Sequence, residues 1–285
     1  MNNITASTSF YALVGYPVEH SLSPIFWNKA FEELNYNAAY IALSVHPDDI
    51  LTCLKGLKVS GFKGLNITRP HKFTAADFCS ILYGAAKETR VVNTIKFSSS
   101  NEIEGWNTDA VGFLNLMKRF ELPSTKVTVL GDGASSKSII WALKEYGILK
   151  IDQIARKFSF EVEEKNEILK NKKIFFRKLS WNLKNFTNSI KESDIIINTT
   201  PIGWHENDSI EGFEESLDAS KCFVDLNYNE KSKLLKFAKQ NCGITIDGRE
   251  LLYEQGVEAF KVLTNYAPPA EIIRRSIFDY FCNEM

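Results

Sequence analysis

Two glycines in the middle of the chain have the spacing of a dinucleotide phosphate site. The β-favouring residues 127–130 run into Gly131-Asp132-Gly133, and apolar residues then recur at helical spacing. A strand that enters a helix through a glycine turn aims backbone N–H groups and the positive end of the helix dipole at one point, which suits a pyrophosphate. The pattern matches G-x-G-x-x-G, with Ser136 in place of the third glycine. The glycines alone predict a strand, turn and helix, and they fit a nucleotide-binding turn and a tight turn without a ligand about equally well.

Arg156 and Lys157 follow the next predicted strand, residues 151–155. An NAD site usually holds the ribose 2′-hydroxyl with an acidic side chain at this position, whereas a 2′-phosphate calls for arginine. Asp152 is acidic, but it lies at the start of the strand and not at its tip. We therefore predict NADP, and we expect the carboxylate of Asp132 to point outward from the turn.

A lysine in the first half of the chain has the position of a proton donor. A strand predicted over residues 62–68 delivers Asn66, Thr68 and Lys72 to its carboxyl end, where open α/β sheets bind ligands. Lys72 lies in the first turn of the next helix, and a lysine so placed can donate and accept a proton. Taken alone, a lysine at this position is usually a solvated surface residue, and Asp109 stands where the cap of the following helix belongs.

Two serines flank Leu22 in the loop after the first predicted strand. In an extended loop, the hydroxyls of Ser21 and Ser23 face the same side and can hold a carboxylate or a hydroxyl of a ligand. Alternatively, Ser23 only caps the helix that begins with Pro24. This segment by itself favours the cap.

The elements that must position these residues alternate between strand and helix. Strands are predicted over residues 11–14, 38–43, 62–68, 91–97, 102–106, 127–130, 151–155, 173–178, 194–198 and 222–226. Helices fill most of the intervening segments, including 158–171, and a turn at 98–101 joins two antiparallel strands. The pattern predicts an α/β protein of two domains: an N-terminal domain with a mostly parallel, mixed sheet, and a Rossmann-like domain. We place the first at residues 1–109, completed by C-terminal helices at 248–285, and the second at 110–247.

Composition narrows the classes of partner. The chain has 285 residues, 44% of them hydrophobic, and a formal net charge of −1, so no basic field recruits nucleic acid or an anionic membrane. No targeting segment or membrane span is recognisable, and the five cysteines and four histidines show no metal or C-x-x-C spacing. We expect a cytoplasmic protein with small-molecule partners and no metal. For the assembly we expect a monomer or a homodimer, between which the sequence does not decide.

Several motifs, taken together and in order, resemble those of the shikimate dehydrogenases, over nearly the whole chain. They are GYPVEHSLSP, GLNITRPHK, VVNT, GWNTDAVG, GDGASS, IARK, NTTPIGW, DLNY and DGRELLYEQG. The resemblance implies reversible NADPH-dependent reduction of 3-dehydroshikimate to shikimate, a step of chorismate and aromatic amino acid biosynthesis.

The resemblance also implies roles for individual residues. Lys72 is the implied catalytic acid and base, with Asp109 as its partner. The implied substrate contacts are Ser21, Ser23, Thr68, Asn93, Tyr228 and Gln255. The implied cofactor contacts are Gly131, Gly133, Ala134, Ser135, Arg156, Lys157, Thr200, Gly203 and Gly248.

The chain departs from the family pattern at a few positions. Trp27 stands where the family usually has histidine, Trp204 replaces a methionine near the nicotinamide, and Arg90 is expected to add charge beside Asn93. A quinate dehydrogenase-like paralogue therefore stays open, because pocket shape decides between the two acids. A non-catalytic NADP-binding sensor is the alternative from another class. Tyr83 and Lys87 have the Y-x-x-x-K spacing of short-chain dehydrogenases, but they precede the glycine turn and are read as helix surface.

Overall fold

The computed structural model describes residues 4–98, 101–123, 126–159, 162–169, 172–228 and 232–282. The chain forms two compact units. The first comprises Met1–Gly112 and Leu252–Met285, and the second comprises Phe113–Leu251.

The elements follow one another in an alternating order. Up to residue 119 they are β1 (Ser9–Gly15), α1 (Ser23–Glu33), β2 (Ala38–Ser44), α2 (Ile50–Val59), β3 (Gly64–Ile67), α3 (Lys72–Phe78), β4 (Ile81–Leu82), α4 (Ala85–Thr89), β5 (Thr94–Phe97), β6 (Ile103–Trp106) and α5 (Thr108–Arg119). Beyond it they are β7 (Lys126–Leu130), α6 (Ala134–Tyr146), β8 (Lys150–Ala155), β9 (Val162–Leu169), β10 (Lys172–Ser180), α7 (Leu183–Glu192), β11 (Ile195–Asn198), β12 (Cys222–Asp225), α8 (Lys233–Asn241), β13 (Ile244–Ile246), α9 (Gly248–Thr264) and α10 (Ala270–Cys282). Short 3-10 turns at Pro47–Asp49 and Glu214–Ser216 complete the set.

The first unit is built on a mixed sheet of order β2-β1-β3-β5-β6-β4. β1 pairs in parallel with β2 and β3, whereas β3, β5 and β6 pair antiparallel. Tyr11 and Leu13 of β1 join the core on one face, and Ala12 and Val14 join the core on the other. A strand that is covered on both faces is apolar throughout, which is why its position was readable from the sequence.

The second unit contains a sheet of order β13-β12-β11-β7-β8-β10-β9, parallel except for β9. Ile195 and Ile197 of β11 face one core and Ile196 faces the other, so this sheet too is covered on both sides. The predicted α/β class, with a mixed first sheet and a Rossmann-like second unit, is confirmed.

The helix predicted over residues 158–171 is wrong. Within the part of that segment that is described, Val162–Leu169 form β9, which pairs antiparallel with β10. Glu163 lies opposite Lys178 and Glu164 lies opposite Arg177, and such cross-strand pairs of opposite charge favour this pairing. The high charge of the segment had suggested a solvated helix, but it belongs to an edge strand. Short β4 and β13 were not predicted, and of the two residues read as helix surface Lys87 lies on α4 while Tyr83 precedes it. Ser99 and Ser100 of the predicted hairpin turn lie outside the described residues.

Two helix starts also differ from expectation. Ser23 is the first residue of α1, and Leu22 occupies the cap position without a side-chain cap hydrogen bond, so Ser23 is not the cap. Asp109 lies inside α5, and the side chain of Asn107 accepts a hydrogen bond from Ala110 N at 3.1 Å instead. The carboxylate of Asp109 is therefore not engaged as a helix cap.

Candidate active site

Lys72 and Asp109 form a largely buried ion pair in the first unit. Lys72 begins α3 after the loop that follows β3, and Asp109 lies in the first turn of α5. Lys72 Nζ donates to Asp109 Oδ2 at 2.7 Å, and each side chain is 12% exposed. Asp109 is the only hydrogen-bond partner of Nζ among the described residues, so two of the three N–H donors of the ammonium remain for a ligand.

Asn93 fixes the other oxygen of this carboxylate. Its Nδ2 donates to Asp109 Oδ1 at 2.8 Å and to Thr108 Oγ1 at 2.9 Å, and its Oδ1 accepts from Thr108 N at 2.7 Å. Asn93 is buried, and Thr94 Oγ1 donates to the same Oδ1 at 3.2 Å. Because both carboxylate oxygens are bonded, Asp109 holds the Lys72 ammonium in one place.

A second set of hydrogen bonds connects Asn93 to β2. Asn66 Nδ2 donates to Thr94 Oγ1 at 3.1 Å, and Tyr40 Oη donates to Asn66 Oδ1 at 2.8 Å. Burial raises the pKa of Tyr40 well above its ordinary value, and the Ser23 side chain acts in the opposite direction. A continuous set of hydrogen bonds thus runs from Tyr40 to the residues that hold the ion pair.

Ser21 does not stand beside Ser23 as an extended loop would place it. Leu22 has φ −81° and ψ −7°, which is a helical conformation, and Ser21 Oγ accepts from Ser23 N at 3.2 Å. The Ser21 hydroxyl is half-buried and keeps its own proton for a ligand, whereas the Ser23 hydroxyl faces Tyr40. The expectation of two parallel hydroxyls is therefore wrong.

Thr68 and Gln255 lie on the elements that flank the ion pair. Thr68 follows β3 and donates its N–H to Val14 O at 2.9 Å, so it sits at the carboxyl ends of β1 and β3. Gln255 lies on α9, where a Cβ on Gly112 of α5 would come within 2.7 Å of the Gln255 nitrogen. Only glycine permits this approach, which sets Gln255 against the helix that carries Asp109.

Arg90 does not bring charge to Asn93. It occupies the left-handed region at φ 54° after α4, and its guanidinium pairs with Asp77 at 2.9 Å. Both side chains are mostly exposed.

Trp27, the other departure from the family pattern in this unit, is part of the core. It is fully buried and stacks on Tyr40 and Phe260 at centroid distances of 4.8 and 5.0 Å.

The glycine turn of the second unit leaves a helix N-terminus open. Gly131 has φ +111°, and Gly133 occupies the cap position of α6 without a side-chain cap hydrogen bond. The N–H groups of Ala134 and Ser135 in the first turn therefore suit an anion. Ser136 is fully buried and donates to Gly131 O at 2.9 Å, so serine at the third position ties the helix to the turn.

The residues after β8 give this turn a positive neighbour. Arg156 and Lys157 are both exposed, and Lys157 pairs with the carboxylate of Asp132. Asp152 is 1% exposed and is held by Arg177 through two hydrogen bonds of 2.6 Å. Burial by itself raises the pKa of Asp152, but the hydrogen bonds from Arg177, Ser189 and Lys126 outweigh it and hold the pKa below its ordinary value. Asp152 is thus occupied in the core.

The loop after β11 is organised by asparagines. Asn198 Oδ1 accepts from Thr200 N and Oγ1, and Asn227 Nδ2 donates to Thr200 O at 3.0 Å. Gly203, at φ +102°, donates to Asp208 Oδ2 at 2.9 Å.

Tyr228 and Gly248 lie close to this loop. The Tyr228 ring meets Trp204 edge-on at 5.2 Å, and burial raises the pKa of Tyr228. Gly248 N donates to Asn227 O at 3.0 Å at the start of α9. Tyr228 belongs to the second unit, whereas the other residues considered as substrate contacts belong to the first.

Some residues of these sites were not found from the sequence. Thr94 and Thr108 stand inside motifs that were noticed, next to Asn93 and Asp109, and that proximity was the available signal. Tyr40 gave no signal, because it reads as one more aromatic residue of a buried strand.

Two classes of site are not seen in the described part of the chain. No group of three or more His, Cys, Asp or Glu side chains is arranged to hold a metal ion there. None of the helices described is both long enough and apolar enough to cross a membrane.

Comparison with known proteins gives one consistent family. The sequence profile of the shikimate dehydrogenase substrate binding domain matches residues 13–95. A shikimate dehydrogenase (NADP(+)) of Prochlorococcus marinus strain MIT 9301 is 37% identical over 272 residues, which cover 92% of this chain and 94% of that protein.

Solved structures agree. Shikimate dehydrogenase from Aquifex aeolicus shares 30% identity at a TM-score of 0.82, over 96% of this chain and 99% of that one. A shikimate dehydrogenase solved in complex with NADP+ shares 30% identity at a TM-score of 0.81, over 98% and 97% of the two chains. This chain belongs to the shikimate dehydrogenase family.

Proposed function

We propose that this chain interconverts shikimate and 3-dehydroshikimate with NADP as its cofactor. The observation that carries the proposal is the buried Lys72–Asp109 pair, fixed by Asn93, in a chain of this family. A cofactor-binding sensor has no need of a fixed, largely buried ammonium at the end of a sheet. In the cell, the reaction belongs to the synthesis of chorismate and the aromatic amino acids.

The chemistry assigned to Lys72 follows from its position. When bound, NADPH supplies the hydride that reduces the carbonyl at C3 of 3-dehydroshikimate. Negative charge grows on the carbonyl oxygen, and the Lys72 ammonium stabilises that charge and donates a proton to it. In the reverse direction the same amine accepts the proton of the hydroxyl. Asp109 orients Lys72 and accepts a hydrogen bond from a substrate hydroxyl.

The remaining residues divide between the two ligands. In this proposal the first unit binds the substrate through Ser21, Ser23, Thr68, Asn93 and Gln255, with Tyr228 of the second unit as a further contact. Ser21 Oγ accepts from Ser23 N, and its hydroxyl proton has no partner among the described residues, so that proton is available to the substrate.

The second unit binds NADP. The open N-terminus of α6 takes the pyrophosphate at Gly131, Gly133, Ala134 and Ser135, and Arg156 with Lys157 takes the 2′-phosphate. Thr200, Gly203 and Gly248 complete the set around the loop held by Asn198 and Asn227.

A substrate and cofactor panel tests the proposal. Purified protein is mixed with shikimate or quinate and with NADP or NAD, and nicotinamide reduction is followed by absorbance. We expect the fastest reduction with shikimate and NADP. Faster reduction with quinate would replace the substrate assignment, and the absence of reduction in every mixture, with NADP still bound, would favour a sensor.

The assembly and the compartment remain predictions: a monomer or homodimer in the cytoplasm.

A further inference from the structure

A carboxylate and an ammonium meet beside the phosphate turn of the second unit. Asp132 lies between the two glycines after β7, Lys157 lies two residues after β8, and their side chains form an ion pair. β7 and β8 are neighbouring parallel strands, with Leu130 opposite Ile154, so both residues lie at the same edge of the sheet. The side chain of Asp132 is 25% exposed and that of Lys157 is 73% exposed.

This edge is where a dinucleotide presents the 2′ position of its adenosine ribose. A carboxylate there accepts a hydrogen bond from a 2′-hydroxyl and repels a 2′-phosphate, whereas an arginine does the opposite. The acid of the strand itself, Asp152, is unavailable because Arg177, Ser189 and Lys126 hold it in the core. Asp132 is the carboxylate that pairs with Lys157 at this edge, and it comes from the turn and not from the strand.

We propose that Asp132 limits the preference of this chain for NADP over NAD. The inference rests on the proposed function, since it assumes that the turn binds a dinucleotide. With NAD, Asp132 stays in its ion pair with Lys157 and accepts a hydrogen bond from the 2′-hydroxyl. With NADP, the 2′-phosphate binds Lys157 together with Arg156, and the Asp132 carboxylate then lies beside a dianion without its ion-pair partner. Because the charge of Asp132 offsets that of Lys157, the net positive charge that favours the 2′-phosphate is that of one cation and not of two.

The neutral isostere Asp132→Asn isolates the charge. We expect it to raise the ratio of NADP to NAD affinity on the order of tenfold, because it removes one negative charge beside the partly screened cations proposed to hold the 2′-phosphate. The reciprocal variant Lys157→Gln is expected to lower the ratio, since it leaves Asp132 uncompensated. Asp218→Asn is the matched control, because this exposed aspartate precedes β12 and therefore lies at the opposite edge of the parallel sheet.

The readout is the dissociation constant of each cofactor, measured by titration calorimetry without substrate. The ratio of kcat/KM values for NADP and NAD with shikimate is the second readout, and thermal melting confirms that each variant is folded. Asp132→Ser repeats the test with a second neutral side chain. A higher ratio in both Asp132 variants, with no change in Asp218→Asn, supports the proposal.

The proposal is overturned if Asp132→Asn and Asp132→Ser shift both dissociation constants by the same factor, or if neither cofactor binds the wild-type protein. Failure of the proposed function has a different appearance. If the Asp132 variants change the ratio of NADP to NAD affinity as expected but the protein does not turn over shikimate, the proposed activity is rejected and the proposed role of Asp132 is supported.

Discussion

The replacement of Asp225 by asparagine is predicted to remove a pH-dependent loss of stability. Asp225 ends β12 and is fully buried. Its Oδ1 accepts from Asn198 Nδ2 at 3.0 Å and from the backbone and side-chain nitrogens of Asn227 at 3.0 and 2.9 Å. Its Oδ2 is buried without a hydrogen-bond partner among the described residues.

Burial, aided by the nearby charge of Asp247, raises the pKa of Asp225 from 3.8 to about 7, against the lowering effect of its hydrogen bonds. A carboxyl whose pKa is raised in the folded state binds its proton more tightly there than in the unfolded chain. The associated stability is fully present below the unfolded pKa and is lost as the pH rises through the folded pKa. The full difference corresponds to about 4 kcal/mol, of which about 3 kcal/mol is lost between about pH 5 and pH 8.

Asparagine copies the protonated acid, because it keeps the oxygen that accepts the three hydrogen bonds and carries no charge. We therefore expect Asp225→Asn to match the wild type only below about pH 4 and to exceed its free energy of unfolding by about 4 kcal/mol near pH 8, with about 3 kcal/mol of that gap opening between about pH 5 and pH 8. Urea unfolding across this range measures both curves. Glu211→Gln, a change from carboxylate to amide on an exposed residue, is the control and is expected to follow the wild type. Parallel curves for Asp225→Asn and the wild type would refute the reasoning.

Further predictions concern side-chain packing and the buried ion pair between Asp152 and Arg177. Asp152→Ala leaves Arg177 without its buried partner and is expected to cost about 3–5 kcal/mol in urea unfolding at neutral pH. Because the pKa of Asp152 is lowered, its contribution is lost as the pH falls through that folded pKa, so an equal deficit at strongly acidic pH would contradict the account. Gly112→Ala is expected to cost about 1–3 kcal/mol and to lower turnover, because its Cβ would clash with the Gln255 backbone; unchanged melting and kinetics would show that α5 and α9 adjust freely. Trp27→Ala is expected to cost about 3–5 kcal/mol, measured by the same unfolding assay, since it empties the stack between Tyr40 and Phe260. A loss below 1 kcal/mol would mean that the core around Trp27 collapses to fill the space.

The sequence predicted the parts of the fold in which local pattern and burial agree. β7, α6 and β8 were found because a strand covered on both faces is apolar throughout, and because glycines mark the turn and the end of the helix. β9 was missed because an edge strand exposed on both faces carries the charge pattern of a solvated helix. The segment forms a strand because it pairs with β10, and the composition of the segment does not predict that pairing.

The candidate site was predicted as a set of residues, but its connections were not. Lys72 and Asp109 are 37 positions apart in sequence, and nothing local shows that Asn93 holds both Asp109 and Thr108. The same holds for Asp152. Its position at the start of the strand argued against a hydrogen bond to the ribose, but did not predict its partner Arg177, which comes from a strand two elements later. Side-chain hydrogen bonds between distant segments depend on the order of strands in the sheet, and no single sequence motif predicts that order.

The most direct test of the account compares Lys72→Ala with Lys55→Ala, an exposed lysine on α2. Reduction of NADP by shikimate and the dissociation constant of NADP are measured on the same preparations. We predict that Lys72→Ala lowers kcat by about 10²–10⁴-fold with NADP affinity nearly unchanged, while Lys55→Ala matches the wild type in both. Normal turnover with weakened NADP binding in Lys72→Ala would contradict the assignment of Lys72 as the proton donor.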